Sequence, residues 1–365
     1  MKIGILTYHR AHNFGAMLQA YALKQVLQKK GYDTQLIDYW PLSHQKQYAL
    51  IKKFRGNNFI DGIKNLIVDI LTLYRRYVRI QQFEDFAGTY LNLLKEIQYS
   101  KDQQIITEDF DCVIVGSDQI WRNHINQKSY TGFDPAYYCQ TLKTKSHCIS
   151  YAASMGIINM TTEEANTLKQ YLQEFSTILV RENSLKKLIE DLGFQAEVVV
   201  DPTLLLNMEQ WNELLPSNRF KKQKYILYYE LIQSQEATIF ANQKAQEMKC
   251  DLLVMSATTP PFSKKNYINC ASPIDFMHAI RDAEYVIATS FHGTAFSIIF
   301  EKQFLTIGLK NNADRVITLL QHLNITDHYQ EKPKQVQNIN YKDIKHLYTT
   351  MQQQSLDLLL TAIKK

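Results

Sequence analysis

The fold is decided by the stretch KIGILTYHRAHNFGAMLQAYALKQVLQKKGYDTQLIDY, residues 2–39. Residues 2–7 are an apolar run typical of a buried strand, and the apolar side chains of residues 16–29 recur at helical spacing after a polar turn. Gly31 suits the end of that helix, and residues 34–39 have the pattern of a second strand. This order predicts a parallel sheet with a right-handed crossover, which is a Rossmann-like opening.

The same alternation continues along the chain. Further strands are predicted at residues 111–115, 147–152, 177–180 and 196–200, and a second series of strands and helices begins at residue 225. The sequence therefore predicts an α/β protein of two doubly wound, Rossmann-like domains that face a cleft. We expect the first domain at residues 1–216 with a helical insertion at about 48–94, the second at 217–335 after a basic linker, and a last helix within 336–365 that packs on either domain.

The composition is that of a folded globular protein. In 365 residues, 45% are hydrophobic and 21% charged, and 41 basic against 36 acidic side chains give a formal net charge of +5. A chain of this length exceeds what one core usually organises, which favours two domains. Five scattered cysteines, no signal-peptide pattern and no long apolar run predict a cytoplasmic protein, with the inner face of the membrane as an alternative location.

One loop is a strong candidate for chemistry, because ligands of open α/β sheets bind beyond the carboxyl ends of the strands. Ser290, Phe291, His292, Gly293 and Thr294 lie between a predicted strand at 285–288 and a helix predicted from about residue 294. Backbone amides at a helix N-terminus bind anions, and His292 can donate or accept a proton beside them. The alternative is a capped helix in which Ser290 and Thr294 bond to the backbone and the histidine is only a neighbour.

A second strand end carries an acid and an aromatic ring. Asp118 follows the strand at 111–115 and is a candidate base or hydroxyl-positioning group, while Trp121 offers a face for a sugar ring. Both have a structural alternative, in which Asp118 caps the next segment and Trp121 fills the core.

Arginines are the candidate anion contacts. Arg181 follows the strand at 177–180, where its planar guanidinium suits a carboxylate or a phosphate. The alternative is a structural pair with Glu182 or Asp201. Arg315, which comes after Lys310, is a second cation that could reach the cleft.

Other classes of site receive little support. Neither the three-glycine dinucleotide fingerprint nor a P-loop sequence occurs, and no spacing of side chains predicts a metal site. Residues 52–79 are basic and amphipathic, which predicts a solvated helical face, with contact to a membrane surface as the alternative. A net charge of +5 over this length does not favour nucleic-acid binding.

Taken together, these loops resemble the polysaccharide pyruvyl transferase family. The matching segments, in order along nearly the whole chain, are NFGAMLQAYAL at 13–23, GSDQIWR at 116–122, YAASMG at 151–156, RE at 181–182, DP at 201–202 and SFHG at 290–293. Each segment is weak alone, and their order and spacing carry the resemblance.

The resemblance implies a fold like that of GT-B glycosyltransferases and an enzyme that moves pyruvate from phosphoenolpyruvate (PEP) onto sugar hydroxyls as a ketal. It also implies that His292 and Arg181 match family positions linked to PEP binding and catalysis. The chain departs from the family at Ser290, where many members have arginine. Lys310 or Arg315 would then supply the missing cation, or the donor differs.

On this hypothesis His292 is the general acid and Asp118 deprotonates an acceptor hydroxyl. The expected donor contacts are Arg181, Ser290, Phe291, Gly293, Thr294, Lys310 and Arg315. The expected acceptor contacts are Asn13, Gly15, Trp121 and Arg122. The scheme uses PEP as co-substrate and needs no metal or cofactor, and its acceptor is a sugar of a polysaccharide or glycan precursor, with a lipid-linked oligosaccharide as one form.

Two rival functions and the oligomeric state stay open at this point. A GT-B-type glycosyltransferase that uses a nucleotide sugar would have the same two-domain cleft. A non-catalytic carbohydrate-binding protein of a polysaccharide pathway would tolerate the serine at position 290.

Overall fold

A computed structural model describes residues 1–41, 44–45, 48–50, 59–91, 93, 109–124, 132–142, 146–215, 220, 223–256, 266–309 and 312–365. These residues contain two six-stranded sheets in which the strand pairs are parallel. The predicted α/β architecture of two doubly wound, GT-B-like sheets is therefore confirmed. Most of the predicted linker lies outside the described residues.

The strands of the first sheet are β1 (Lys2–Leu6), β2 (Asp33–Leu36), β3 (Cys112–Val115), β4 (His147–Ala153), β5 (Thr177–Val180) and β6 (Glu197–Val198). Those of the second are β7 (Tyr225–Glu230), β8 (Asp251–Ser256), β9 (Tyr267–Ile268), β10 (Tyr285–Ala288), β11 (Phe304–Ile307) and β12 (Tyr329–Gln330). The order is β2-β1-β3-β4-β5-β6 in the first sheet and β12-β11-β10-β7-β8-β9 in the second. The chain changes direction across the sheet at β1/β3 and at β7/β10, and such switch points open a crevice beyond the strand ends.

The α-helices are α1 (Phe14–Lys29), α2 (Phe59–Phe86), α3 (Thr162–Leu172), α4 (Asn183–Asp191), α5 (Met208–Asn212), α6 (Gln235–Met248), α7 (Pro273–Arg281), α8 (Phe291–Ile299), α9 (Asp314–His322) and α10 (Tyr341–Lys364). Helix α2 is followed by one π-helical turn, Ala87–Leu91, and together they account for the described part of the predicted helical insertion. None of the described helices combines the length and the apolar content that a membrane-spanning helix needs.

Helix α1 is buried on nearly all sides, from Phe14 to Leu27. Its first ring, Phe14, stacks on Phe276 of α7 at 5.1 Å between centroids and lies 6.0 Å from the ring of Tyr229 in β7. Burying a side chain of this size stabilises a fold by about 1.5–3 kcal/mol. The helix that opens the first half is thus part of a hydrophobic core shared with the second half.

The last helix, α10, contacts both halves. Near its start the hydroxyl of Tyr341 donates to the carbonyl oxygen of Lys302, and further on Ser355 Oγ accepts from the amide of Val200 at 3.0 Å. Close to its end the carbonyl oxygen of Ala362 lies 2.8 Å from Nε2 of His147. It therefore ties the edge of the first sheet to the second half.

Candidate active site

The segment after β10 forms the first turn of helix α8. The helix begins at Phe291, three residues before the predicted start, so His292 lies in its first turn and not in a preceding loop. Ser290 Oγ accepts from the amide of Gly293 at 2.9 Å, and Thr294 Oγ1 donates to the carbonyl oxygen of Ser290 at 3.0 Å. The capped-helix alternative is thus correct for Ser290 and Thr294, whose hydroxyls form hydrogen bonds with the backbone of the first helical turn.

Gly15 and His292 come from different halves and lie in direct contact. A Cβ on Gly15 would lie only 1.9 Å from Nδ1 of His292. Since real side-chain atoms do not approach that closely, only glycine at this point of helix α1 leaves room for the imidazole. That Gly15 contacts the acceptor stays a prediction, and in the structure Gly15 contacts His292.

A buried aspartate joins the histidine to the arginine. Asp201 Oδ2 accepts from Nη1 of Arg181 at 2.5 Å and from Ser117 Oγ at 3.0 Å, and it lies 3.7 Å from Nε2 of His292. Burial alone would raise the pKa of Asp201, but the imidazole of His292 and the charge of Arg181 lower it strongly. The aspartate is therefore anionic and faces two cationic or ionisable groups.

A second carboxylate faces the same arginine from the loop after β3. Asp118 Oδ1 lies 3.4 Å from Nη2 of Arg181 and 4.0 Å from Nη1 of Arg315. Burial would raise the pKa of Asp118, but Arg181, then His292 and Arg315, lower it below its usual value. Asp118 is consequently a weaker base than an isolated carboxylate.

The two arginines share one aromatic ring. The guanidinium carbons of Arg181 and Arg315 lie 5.0 and 6.0 Å from the ring centroid of Phe291. Burial, and then the like charge of Arg181, lower the pKa of Arg315 to about 10. An anion placed between these guanidiniums would relieve their repulsion.

Several polar atoms of this cluster have capacity left for a ligand. In the part of the chain that the structure describes, Nε of Arg181, Nε of Arg315 and Nε2 of His292 are buried without a hydrogen-bond partner. Buried polar atoms are normally paired, so unpaired ones at one place suggest a missing partner. Both arginines, Asp201 and Phe291 line a cavity of about 510 Å³ that extends beneath helix α10.

A second cavity, of about 600 Å³, is lined by Asp118. Asn13, Asp118 and Arg122, all predicted from the sequence as site residues, line it together with Tyr48 and His124. Asn13 also caps helix α1 by accepting from the amide of Ala16 at 3.3 Å. The structure thus brings three sequence candidates to one polar cavity that adjoins the arginine cluster.

Two candidates do not join these groups. Trp121 is completely buried, stacks on Tyr138 and donates from Nε1 to the carbonyl oxygen of Tyr137 at 2.9 Å. The prediction that it presents a face to a sugar is therefore wrong, and it fills the core instead. Lys310 lies outside the described residues.

Two acidic residues were absent from the predicted site. Asp201 was considered only as a structural partner of Arg181, although it follows a strand and precedes a proline, which is a signal for a residue at the sheet edge. Glu182 Oε1 accepts from Ser154 Oγ at 2.9 Å and from the amide of Met155 at 3.0 Å, and so fixes the loop after β4. Among the described residues, no cluster of His, Cys, Asp or Glu could hold a metal ion.

The fold and this site define a GT-B-like α/β protein with a cluster of ionisable side chains where its two sheets meet. The family model of the polysaccharide pyruvyl transferases matches residues 13–311, and the chain belongs to this family. None of the curated proteins with which the sequence was compared matches it.

Solved structures of similar overall shape belong to several proteins. The UDP-N-acetylglucosamine 2-epimerase from Rickettsia bellii is 10% identical, with 100% of this chain and 97% of that chain covered and a TM-score of 0.44. The UDP-GlcNAc 2-epimerase from Neisseria meningitidis is 12% identical over 97% and 100%, with a TM-score of 0.43. The glycosyltransferase SnogD from Streptomyces nogalater is 11% identical over 99% of each chain, with a TM-score of 0.40.

Proposed function

We propose that the protein transfers the pyruvate of PEP onto two hydroxyls of a sugar acceptor as a ketal and releases phosphate. One observation carries the proposal: His292 from the second half and Arg181 from the first meet at Asp201 Oδ2, at 3.7 and 2.5 Å. PEP carries a carboxylate and a phosphate, and its C3 must gain a proton before C2 becomes electrophilic. A buried imidazole beside two guanidiniums supplies both requirements.

Arg181 and Arg315 are the proposed contacts for the anionic groups of the donor. Many family members have an arginine where this chain has Ser290. Arg315 supplies a cation beside the ring of Phe291, the residue that follows Ser290. Its unpartnered Nε and its lowered pKa both favour an anion at this point. Arg315 thus takes the place of the family arginine in this proposal.

His292 is the proposed general acid, and Asp201 is its positioning residue. Asp201 is held by Arg181, Ser117 and Thr203, so its carboxylate stays fixed opposite Nε2 of the imidazole. An anion in this position orients the imidazole ring. The proton goes from His292 to C3 of PEP.

The acceptor sugar would occupy the polar cavity lined by Asn13, Asp118 and Arg122. The first hydroxyl attacks C2 and loses its proton to Asp118, which passes it to the departing phosphate. The second hydroxyl then closes the ketal, and its proton returns to the imidazole. The lowered pKa of Asp118 makes it a weak base for this step, so its main contribution would be to orient the hydroxyl. The scheme uses no metal or cofactor.

The decisive experiment measures phosphate release from PEP with and without sugar acceptors, followed by mass spectrometry of the product. We expect acceptor-dependent release by the wild type, and a loss of about 10²- to 10⁴-fold in kcat for His292→Asn. The exposed His346→Asn on helix α10 is the matched control and should keep full activity.

Thermal shift separates the rival functions, because a bound donor stabilises the folded state. Stabilisation by PEP and not by nucleotide sugars supports the proposal, and the reverse result supports a glycosyltransferase. If neither donor stabilises the protein and no acceptor triggers phosphate release, a non-catalytic carbohydrate-binding role replaces this proposal.

A further inference from the structure

Helix α2 has its apolar side turned outward. Nine large apolar side chains between Ile63 and Tyr77 are exposed, among them Ile70 at 64% and Tyr74 at 76% of their full surface. An ordinary surface helix buries its apolar stripe and exposes its polar face. Between Ile63 and Tyr77 this helix does the opposite, so the apolar face of this part is available to a partner.

The polar side of the same helix is the one that packs on the protein. Thr72 is 2% exposed, and Arg79 is buried with its guanidinium carbon about 5 Å from the rings of Phe14 and Phe83. The Nη atoms of Arg79 lie 3.4 Å from the carbonyl oxygens of Ser256 and His12. These contacts fix the rotation of the helix, so the outward direction of its apolar face is set by the fold.

The width of the apolar face indicates which kind of partner it fits. Ile63, Ile67, Ile70, Tyr74 and Tyr77 follow spacings of three and four along one line, and four further apolar side chains extend the face on both sides of that line. A pair of coiled helices needs only the narrow line. A broad apolar face is typical of a helix that lies in the interface of a bilayer.

The charge of this region points to the same partner. Residues 52–79 hold seven basic and two acidic side chains. Arg79 is buried against the protein, so the remaining six basic side chains leave a net charge of +4 for the rest of this segment. Self-association through this face would bring two such charges together. Anionic lipid head groups attract them instead.

We propose that helix α2 docks the protein on the surface of an anionic bilayer, with the apolar face between Ile63 and Tyr77 inserted among the lipids. The proposal is independent of the function proposed above. It gives a physical basis to the membrane-surface alternative for residues 52–79.

The helix that carries the docking face continues, beyond that face, to residues that pack beside the polar cavity. The ring of Phe83, near the end of helix α2, stacks on His12 at 5.4 Å, and His12 lies 4.9 Å from the ring of Tyr48, which lines that cavity. Docking would therefore bring the cavity close to the lipid surface. This placement suits a lipid-linked sugar, a consequence that does rest on the proposed function.

Vesicle co-sedimentation tests the docking without PEP or an acceptor. The wild type should bind vesicles of phosphatidylcholine with about 30% phosphatidylglycerol and bind pure phosphatidylcholine much more weakly, and added salt should weaken the binding. Ile67→Asn/Ile70→Asn should lower the binding at least about tenfold. Lys64→Gln, which removes an exposed charge from helix α2, should lower it about fivefold.

The matched control is Ile232→Asn/Ile239→Asn, which removes two exposed isoleucines from another part of the surface. It should bind like the wild type, and circular dichroism should show that all variants are folded. Equal binding by the Ile67/Ile70 and control variants overturns the proposal. A wild type that does not bind the vesicles also overturns the proposal. This holds for a monomer, and for a dimer that the Ile67/Ile70 substitutions dissociate.

Discussion

At the scale of single residues, the site depends on Asp201, which links the two residues of greatest chemical interest. Arg181 and Asp201 form a buried pair, and removal of one partner would leave the other charge uncompensated. A substitution of Arg181 therefore mixes lost binding with lost stability. Residues at the margin of the cluster give cleaner tests of its function.

Gly15→Ala tests whether the position of His292 matters. The added Cβ would lie 1.9 Å from Nδ1, so the imidazole must move by more than 1 Å. A misplacement of that size costs about 10²-fold in rate, which a steady-state assay of phosphate release would measure. Gly88→Ala is the matched control, because a Cβ there meets nothing within 4 Å, and it should retain full activity. Equal activity of the two variants would contradict the role of this contact.

Arg315→Gln tests the replacement of the family arginine. Loss of one charge-assisted contact to the donor should raise the Kd for PEP by about tenfold or more, which calorimetry measures directly. The fold should tolerate the change, since burial already opposes the charge of this side chain and the nearest carboxylate oxygen is 4.0 Å away. An unchanged Kd would remove Arg315 from the donor site.

The sequence identified His292 and Arg181 as site residues, but not Asp201, the residue that lies between them. Arg181 stands out because it is a charged residue directly after an apolar strand, and His292 because it is a titratable residue in the short segment that follows another strand. Asp201 has the same position, but a sequence does not show that three side chains converge on one oxygen. Trp121 was misplaced for a related reason, since an aromatic residue at a strand end is equally suited to a core and to a sugar site.

At the scale of elements, strands and amphipathic helices were predictable from periodicity, and helix starts were less so. The pattern predicts the start of helix α8 near residue 294. In the structure Ser290 caps the helix, so it also includes Phe291, His292 and Gly293. Helix α2 shows a second limit of periodicity. A hydrophobic stripe identifies a helix but does not say whether the stripe faces the core.

The short 3₁₀-helix Pro135–Tyr138 provides a prediction about pH. It is capped by Asp134, whose carboxylate accepts from the amide of Ala136 at 3.1 Å and from the hydroxyl of Tyr39 at 3.0 Å. Burial raises the pKa of Asp134 to about 6, against the lowering effect of these hydrogen bonds. The folded state therefore favours the protonated carboxyl group of Asp134. The stability gained from this protonation is complete at low pH and is lost as the pH rises through about 6.

Asp134→Asn removes this titration. Between about pH 4 and pH 7, the free energy of unfolding of the wild type should fall by about 2 kcal/mol relative to that of the variant. Urea unfolding at several pH values measures the difference, in which all other titrating groups cancel. Parallel pH profiles for the two proteins would show that Asp134 does not titrate in this range.

At the scale of the whole molecule, the two sheets were predictable, and the way they join was not. Phe14 and Phe276 are far apart in the sequence and have ordinary apolar patterns, yet they stack in a core that includes residues of both halves. A shared core of this kind makes the halves depend on each other. The protein should therefore unfold as one cooperative unit.

Leu305→Ala tests this cooperativity from the far side of the second sheet. Leu305 lies in a separate cluster that contains only residues of the second half, and its truncation should destabilise the protein by about 2–5 kcal/mol. If unfolding is cooperative, native-state hydrogen exchange should show the same loss for the slowest amides of β1 and β3 in the first sheet. The exposed Ile239→Ala is the control and should leave both sheets unchanged. Protection lost from the second sheet alone would mean that the halves unfold independently, in spite of the contact between Phe14 and Phe276.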